Sequence, residues 1–335
     1  MLKEHLLRSL SKSIRYDGRK PDEFRPITVE TGIIKSAEGS ARVKIGRTEV
    51  LVGVKMGVET PYPDTPAQGN LMVNAELLPL SNPLFESGPP GDQAVELARV
   101  VDRGIRESEA IDVKKLCIKE GEKVWSVMID VCTINDEGNL LDAAALGAIA
   151  ALKDTKFPKY EDEKVDYLTK TKKSLPLLRE PISITVLKIG NYFIVDPLSE
   201  EEQATDARLT VAVTQDNNIC ALQKGGETPF MPEDIEKIVD LVLEKSVELR
   251  KKLWFMEGFM PEEQIRYTKY EVARMIGSRA LQIAMGAPFL VKLSPQDLER
   301  ISYNPIEIAK LEFEKDVLPL TVKRQAHKKE EVKAK

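Results

Sequence analysis

Histidine is scarce in this chain of 335 residues: there are two, His5 and His327, one near each end. We therefore expect no Ser-His-Asp, Cys-His or H-E-x-x-H chemistry, because nothing between them carries an imidazole. Cysteine is scarce too, and Cys117, Cys132 and Cys220 are too widely spaced for a C-x-x-C zinc knuckle or a disulfide scaffold. The sequence predicts no metal site and no cofactor.

Long apolar runs are also missing. None approaches the roughly 20 residues that span a bilayer, and the opening MLKEHLLRSLSKSIR lacks the apolar region of a signal peptide. We expect a cytoplasmic protein with no membrane partner. The formal net charge of -5 argues against a protein that coats nucleic acid through overall positive charge, so any such binding must be local.

The chain has an α+β pattern and enough apolar residues for two or three domains. Short β-branched runs between Ile27 and Met56 predict an antiparallel meander. They are followed by a helix from about Gln93 to Glu109, a strand in KVWSVMIDVCTI and a small-residue helix in DAAALGAIAALKD. Four further strands and the amphipathic helix PEDIEKIVDLVLEKSVELRKKLW repeat this order of strands and helix.

The helix near residue 100 carries the most specific pattern. At 100° per residue, apolar side chains such as Leu97 and Val101 fall on one side. Arg99, Arg103 and Arg106 recur at i, i+4 and i+7 on the opposite side. One face therefore packs against the protein, and the other is a stripe of arginines.

A series of motifs follows in order along the first three quarters of the chain: RYDGR at 15–19, FRPI at 24–27, GSA at 39–41, PDTP at 63–66, QGN at 68–70, ELARVVDR at 96–103 and DEGN at 136–139. From Ile14 to about Leu253 the chain resembles the RNase PH-like subunits of the archaeal exosome, and its E-L-A-R-V-V-D-R helix is similar to that of the non-catalytic member. The resemblance implies an RNase PH-like (ribosomal protein S5 domain 2-like) βαβα unit at 1–165 and a second α+β subdomain at 166–254.

The same resemblance implies a hexameric ring, a trimer of heterodimers with a catalytic RNase PH-like subunit, capped by RNA-binding proteins. RNA threads the channel and is degraded from its 3′ end by phosphate, while the non-catalytic subunit structures its partner's active site. That subunit also contributes arginines to the RNA path. Arg99 and Arg103 match this role, and Arg106 is a third candidate. Guanidinium groups at one-turn spacing suit successive phosphates and bind RNA without reading its sequence.

The alternative is that the arginine stripe is a solvated helix face. Glu96, Asp102 and Glu107 lie close enough along the helix to pair with its arginines. In that case the arginines would contribute charge to the surface and would contact no ligand.

The resemblance also bears on catalysis. Active subunits carry two aspartates six residues apart after a V-D strand; aligned on Val195-Asp196, this chain has Glu202 and Arg208 there. Because the second carboxylate is missing, we predict no catalytic residue. Asp206 is near enough in sequence to keep an active phosphorolytic exoribonuclease as an alternative. We expect Asp196, Asp206 and the acidic run of Glu200, Glu201 and Glu202 to be turn residues and solvated loop.

Different motifs appear near the C-terminus: RYTKYE at 266–271, RALQIAMGAP at 279–288, AKLEFE at 309–314 and PLTV at 319–322. They resemble archaeal RNA polymerase subunit K, a relative of bacterial omega. The resemblance implies a small, mostly helical, non-catalytic domain at 266–324 that binds the largest polymerase subunit. A linker at 255–265 precedes it, and the polar residues 325–335 are predicted to be disordered. As an alternative, this module is the main working part of the chain.

Two helix starts are predicted in this region, one from Thr268 with Glu271 and one from Asn304, Pro305 and Glu307. The neighbouring Arg274, Met275 and Arg279 are expected to serve helix packing and surface charge.

Overall fold

A computed structural model describes residues 2–161, 164–257, 269–291 and 303–314. The chain forms two compact units, Met1–Phe259 and Met260–Lys335. In the first unit the elements are α1 (Leu2–Leu10), β1 (Ile27–Thr31), β2 (Gly39–Ile45), β3 (Thr48–Glu59), β4 (Asn70–Glu76), α2 (Asp92–Glu107), a 3-10 turn (Val113–Leu116), β5 (Cys117–Lys119), β6 (Lys123–Asn135), α3 (Leu140–Asp154), β7 (Lys156–Glu161), β8 (Lys164–Ser174), β9 (Ile182–Ile189), β10 (Tyr192–Val195), α4 (Ser199–Gln203), β11 (Ala207–Val213), β12 (Ile219–Gly225) and α5 (Pro232–Glu257).

The first sheet has the strand order β1-β2-β3-β6-β4, with β5 paired to β6. Its pairs are antiparallel except β4 with β6, which is parallel. Helix α3 packs closely on this sheet because its residues are small. A Cβ on Gly147 would lie 2.7 Å from Cγ2 of Val52, so a larger residue would push the helix away.

The second sheet has the order β10-β9-β11-β12 and is antiparallel. One apolar core contains Val43 and Val50 of the first sheet, Ile184 and Val211 of the second, and Ile238 of α5. The two predicted subdomains therefore share a core. The boundary predicted between residues 165 and 166 falls within β8, which pairs with β7 in an antiparallel arrangement.

Helix α1 was not predicted from the sequence. Its Leu6 and Leu10 are buried, and Leu10 packs against Leu187 and Ile189 of β9. The opening segment is thereby attached to the second sheet. No helix among the described residues is long and apolar enough to cross a membrane.

Helix α5 continues to Glu257, so the first three residues of the linker predicted at 255–265 are helical. The reason is local: no helix-breaking residue occurs between Pro232 and Gly258. The rest of that linker lies outside the described residues, as does the tail predicted at 325–335.

The second unit contains α6 (Lys269–Ala284) and α7 (Pro305–Glu314). The helices pack through an apolar cluster of Ala280, Ile283, Ile308 and Ala309. The predicted start of α7 is confirmed, because Oδ1 of Asn304 accepts a hydrogen bond from Ile306 N at 3.0 Å. Thr268, proposed to cap α6, lies outside the described residues.

Candidate functional site

Helix α2 has the two faces that its sequence predicts. Its buried residues are Ala94, Leu97, Val100, Val101, Gly104 and Ile105. Arg99, Arg103 and Arg106 are exposed on the other side. The structure therefore brings all three predicted arginines to one surface.

Arg99 and Arg103 are available to a ligand. Neither forms a hydrogen bond or an ion pair with any residue that the structure describes. The side chain of Arg103 borders a small pocket whose wall includes Leu222 and Gln223 of β12. Two guanidinium groups one turn apart thus face the solvent with their charge uncompensated by contact.

The acidic neighbours on α2 are engaged elsewhere. Glu96 pairs with Arg208 of β11. Asp102 pairs with Arg106 at 2.7 Å, and Nη2 of Arg106 also donates to Leu71 O at 3.0 Å. The hydrogen bonds that Arg106 donates to the Asp102 carboxylate raise the pKa of the Arg106 guanidinium. Arg106 is therefore committed within the fold, unlike the two arginines before it on the helix.

A cleft of about 330 Å³ lies beside the first turns of α2 and α3. Glu202 and Arg208, the residues aligned with the catalytic aspartate pair, both line it, as does Asn139. Asp206 does not line the cleft. It accepts a hydrogen bond from Gly190 N at 2.7 Å and pairs with Lys3 of α1, so its carboxylate is engaged away from the cleft.

The charges of this cleft do not favour phosphate. Arg208 is the one cation among its lining residues, and Glu96 already pairs with it. Oε1 of Glu202 accepts a hydrogen bond from Asn139 N at 2.8 Å. Desolvation of the carboxyl in the cleft raises the pKa of Glu202, although the hydrogen bond from Asn139 N acts in the other direction. Within the described residues, no cluster of His, Cys, Asp and Glu could hold a metal ion.

Asp196 lies in a bend after β10, as expected from the sequence, but its side chain is fully buried and not solvated. Its carboxylate accepts hydrogen bonds from Arg25 Nη2 at 2.7 Å, Arg19 Nη1 at 2.8 Å and Asn139 Nδ2 at 2.9 Å. Burial alone would raise the pKa of Asp196, but the hydrogen bonds and charge of Arg25 hold it below its ordinary value. The expectation of a solvated side chain failed because these partners lie far away in the sequence.

A second buried ion pair joins Arg15 to Glu201, and both side chains are fully buried. Nη1 and Nη2 of Arg15 also donate to the carbonyls of Val195 and Asp196, each at 2.8 Å. The RYDGR and FRPI motifs therefore attach the N-terminal segment to the end of β10. The expectation of a solvated loop was wrong for Glu201.

Asp142, in the first turn of α3, is buried against the second sheet. Oγ1 of Thr185 donates to its Oδ1 at 2.7 Å, whereas its Oδ2 has no partner among the described residues. Burial raises the pKa of Asp142 to about 7, although the hydrogen bond from Thr185 acts in the other direction. Oδ1 of the nearby Asn139 is also unpartnered, and a protonated Asp142 could donate to it.

This arrangement predicts a pH-dependent stability. Because the folded-state pKa of Asp142 is raised from 3.8 to about 7, its stabilising contribution is complete below the lower value and is lost as pH rises through the higher one. Asp142→Asn has no proton to lose. Between the two pKa values, the stability of this variant relative to the parent should rise by up to about 1.4 kcal/mol per pH unit. Urea unfolding across that range measures the difference; a constant difference would mean that Asp142 is ionised in the folded state.

In the second unit, Arg279 and Glu312 form a buried ion pair between α6 and α7. Oε1 of Glu312 also accepts a hydrogen bond from Leu290 N at 2.8 Å, and Nη2 of Arg279 donates to Pro288 O at 2.9 Å. Arg279 thus fixes the segment after α6, and Met275 is buried, as the packing role predicts. Leu281, Met285, Phe289 and Leu290 are exposed in this unit.

The chain matches models of two protein families. Residues 23–158 match domain 1 of the 3′ exoribonuclease family, and residues 180–245 match its domain 2. Residues 264–320 match the RNA polymerase Rpb6 family. The chain thus combines a 3′ exoribonuclease-type unit with an Rpb6-type domain.

The similar proteins narrow the class. The chain is 47% identical over 253 residues to the exosome complex component Rrp42 of Methanopyrus kandleri, covering 75% of this chain and 95% of that protein. It is 51% identical over 244 residues to Rrp42 of Methanocella arvoryzae, covering 71% and 90%. The chain belongs to the Rrp42 family of exosome complex components.

Solved structures agree with this assignment. A chain of the Archaeoglobus fulgidus exosome with RNA bound to the active site superposes with a TM-score of 0.70 and 48% identity, covering 75% of this chain and 97% of that one. A chain of an archaeal exosome core gives a TM-score of 0.67 and 44% identity, covering 75% and 96%. The predicted α+β, RNase PH-like fold is confirmed.

Proposed function

We propose that this chain is a non-catalytic, RNA-binding subunit of an exosome ring that degrades RNA from its 3′ end by phosphorolysis. One observation carries the proposal: Arg99 and Arg103 are exposed and free of partners among the described residues, while their acidic neighbours Glu96 and Asp102 bind other arginines. Exposed, uncommitted guanidinium groups at one-turn spacing suit the phosphates of an RNA strand.

The family supports the assignment to an exosome. Relatives named as exosome components share 42–51% identity with this chain, and a solved relative is an exosome with RNA bound. In our proposal the chain alternates with a catalytic RNase PH-like subunit as a trimer of heterodimers. RNA-binding cap proteins cover the ring, which works in the cytoplasm.

The cleft supports a non-catalytic role. Where the resemblance places two aspartates, this chain has Glu202 and Arg208, and Arg208 is neutralised by Glu96. The other two carboxyls that line the cleft are engaged, Glu96 by Arg208 and Asp136 by Asn82 and by Gly138 N. The cleft therefore offers neither a free pair of carboxylates nor a free cation for phosphate. The chain would instead contribute to RNA binding and to the structure of its partner's active site.

The second unit would join this ring subunit to transcription. Its match to the Rpb6 family and the exposed apolar residues after Leu281 support binding to the largest subunit of RNA polymerase. Covalent connection would raise the concentration of one machine near the other.

Reconstitution tests the whole proposal. Full-length chain alone, incubated with end-labelled single-stranded RNA and phosphate, should not shorten the RNA. The chain assembled with its catalytic partner should shorten it from the 3′ end. The same preparation should retain the largest polymerase subunit on an affinity resin. Shortening of RNA by the chain alone would overturn the non-catalytic assignment. Failure to retain the polymerase subunit would overturn the proposed binding of the second unit to RNA polymerase.

A further inference from the structure

The loop between β3 and β4 brings an aromatic residue to the arginine side of α2. Nη2 of Arg106 donates to Leu71 O at 3.0 Å, and Nδ2 of the adjacent Asn70 donates to Thr60 O at 3.3 Å. Tyr62 follows Thr60 by two residues. These contacts place Tyr62 close to the C-terminal end of the stripe, and after Asp102 its phenol also contributes to the raised pKa of Arg106.

Tyr62 is presented to solvent by a constrained loop. The residue is 51% exposed, and its side chain makes no hydrogen bond, ring contact or cation-π contact with any described residue. Pro61 and Pro63 flank it, and a proline both fixes its own φ and restricts the residue before it to extended backbone. A hydrogen bond from Thr65 N to Tyr62 O at 3.0 Å closes the turn that follows. The backbone of this loop therefore loses little conformational entropy when a ligand contacts the ring.

We propose that Tyr62 is a base-stacking residue for single-stranded RNA whose phosphates are bound by Arg99 and Arg103. The inference rests on the proposed RNA-binding function and adds a contact to it. Four residues of helix rise about 6 Å, so an RNA strand that contacts Arg99 and then Arg103 runs toward the C-terminal end of α2, near Tyr62. Arginines that follow a backbone beside an exposed aromatic ring are the chemistry with which proteins bind single strands.

This arrangement gives Arg106 a different task from that of the other two arginines. Its guanidinium is held by Asp102 and by the carbonyl of Leu71, so it joins α2 to the strand that follows the Tyr62 loop. Arg106 is therefore a positioning residue that fixes the distance between the phosphate-binding arginines and the ring. Because every nucleobase has a π-face, the contact selects unstacked, single-stranded RNA and tolerates any sequence.

A thermodynamic cycle on the ring assembled with its catalytic partner tests the proposal. Single-stranded RNA oligonucleotides of one length carry an abasic nucleotide at successive positions. Tyr62→Ala should weaken binding of intact RNA roughly 5- to 150-fold, the range expected for one stacked base. Tyr62→Phe keeps the ring and should bind within about 2-fold of the parent. At one abasic position the parent should bind as weakly as Tyr62→Ala, and combining the two changes should cause no further loss.

Controls distinguish the proposal for Tyr62 from the proposed RNA-binding function on which it rests. Tyr167→Ala removes a tyrosine of equal exposure, 50%, on β8, and should leave RNA affinity unchanged. If Arg99→Glu with Arg103→Glu weakens RNA binding but Tyr62→Ala does not, stacking on Tyr62 is overturned, while RNA binding by the two arginines is supported. If neither variant changes affinity, the proposed RNA-binding function itself fails. Losses that multiply at every abasic position would also exclude stacking on Tyr62.

Discussion

Asp196→Asn will destabilise the first unit by about 3–5 kcal/mol, the usual cost of removing one charge from a buried ion pair. The Asp196 side chain is fully buried and accepts hydrogen bonds from Arg19, Arg25 and Asn139. Losing its charge leaves the buried guanidinium of Arg25 without its nearest carboxylate. Asparagine is the right replacement because residue 196 has φ +46°, a left-handed conformation that asparagine tolerates better than alanine. Urea unfolding followed by circular dichroism measures the loss.

A matched control lies in the same N-terminal segment. Asp17 pairs with Arg19 near the surface, so Asp17→Asn should cost less than about 1 kcal/mol. If Asp196→Asn were as mild as this control, the buried network would not be what attaches the N-terminal segment to the second sheet.

Reversing two charges on α2 will have the largest effect on function. Arg99→Glu with Arg103→Glu should weaken RNA binding by the assembled ring about 100-fold or more, since each charged hydrogen bond contributes at least about 1.5 kcal/mol. Both side chains are exposed, so the change removes no packing and ring assembly should persist. The reversal of Arg47 together with Arg274 makes the same change in net charge at other exposed positions and should leave RNA affinity within a few-fold.

The features of the fold that depend on local residue spacing could be predicted from the sequence. The order of strands and helices, the two faces of α2 and the start of α7 at Asn304 could each be read from residue spacing. The arginine stripe was also visible, because a helix maps sequence spacing directly onto a surface.

Residue spacing alone could not say which of the three arginines is free, although the family resemblance placed Arg99 and Arg103 ahead of Arg106. Arg99 and Arg103 are free because the two acidic residues near them pair with other arginines. Asp102 pairs with Arg106, and Glu96 pairs with Arg208, about a hundred residues away in the sequence. Tyr62 was overlooked within a proline-rich loop, although an aromatic residue between two prolines is a signal of a displayed ring. Its nearness to α2 depends on hydrogen bonds that only the fold creates.

The acidic residues after β10 were misjudged for the same reason. Asp196 and Glu201 have the sequence context of a turn, yet each is buried against an arginine from the first 25 residues. Likewise, nothing local distinguishes Asp142 from a capping residue of α3. Its raised pKa comes from burial against Thr185 of the second sheet.

The most direct test of RNA binding by Arg99 and Arg103 is the salt dependence of RNA affinity. The assembled ring, carrying either the parent chain or Arg99→Gln with Arg103→Gln, is titrated with single-stranded RNA over a range of salt concentrations. Each phosphate contact contributes about 0.7 to the slope of log affinity against log salt for a single strand. If Arg99 and Arg103 each bind a phosphate, the double variant should lose about 1.4 from that slope. An unchanged slope would mean that these arginines do not contact the RNA backbone.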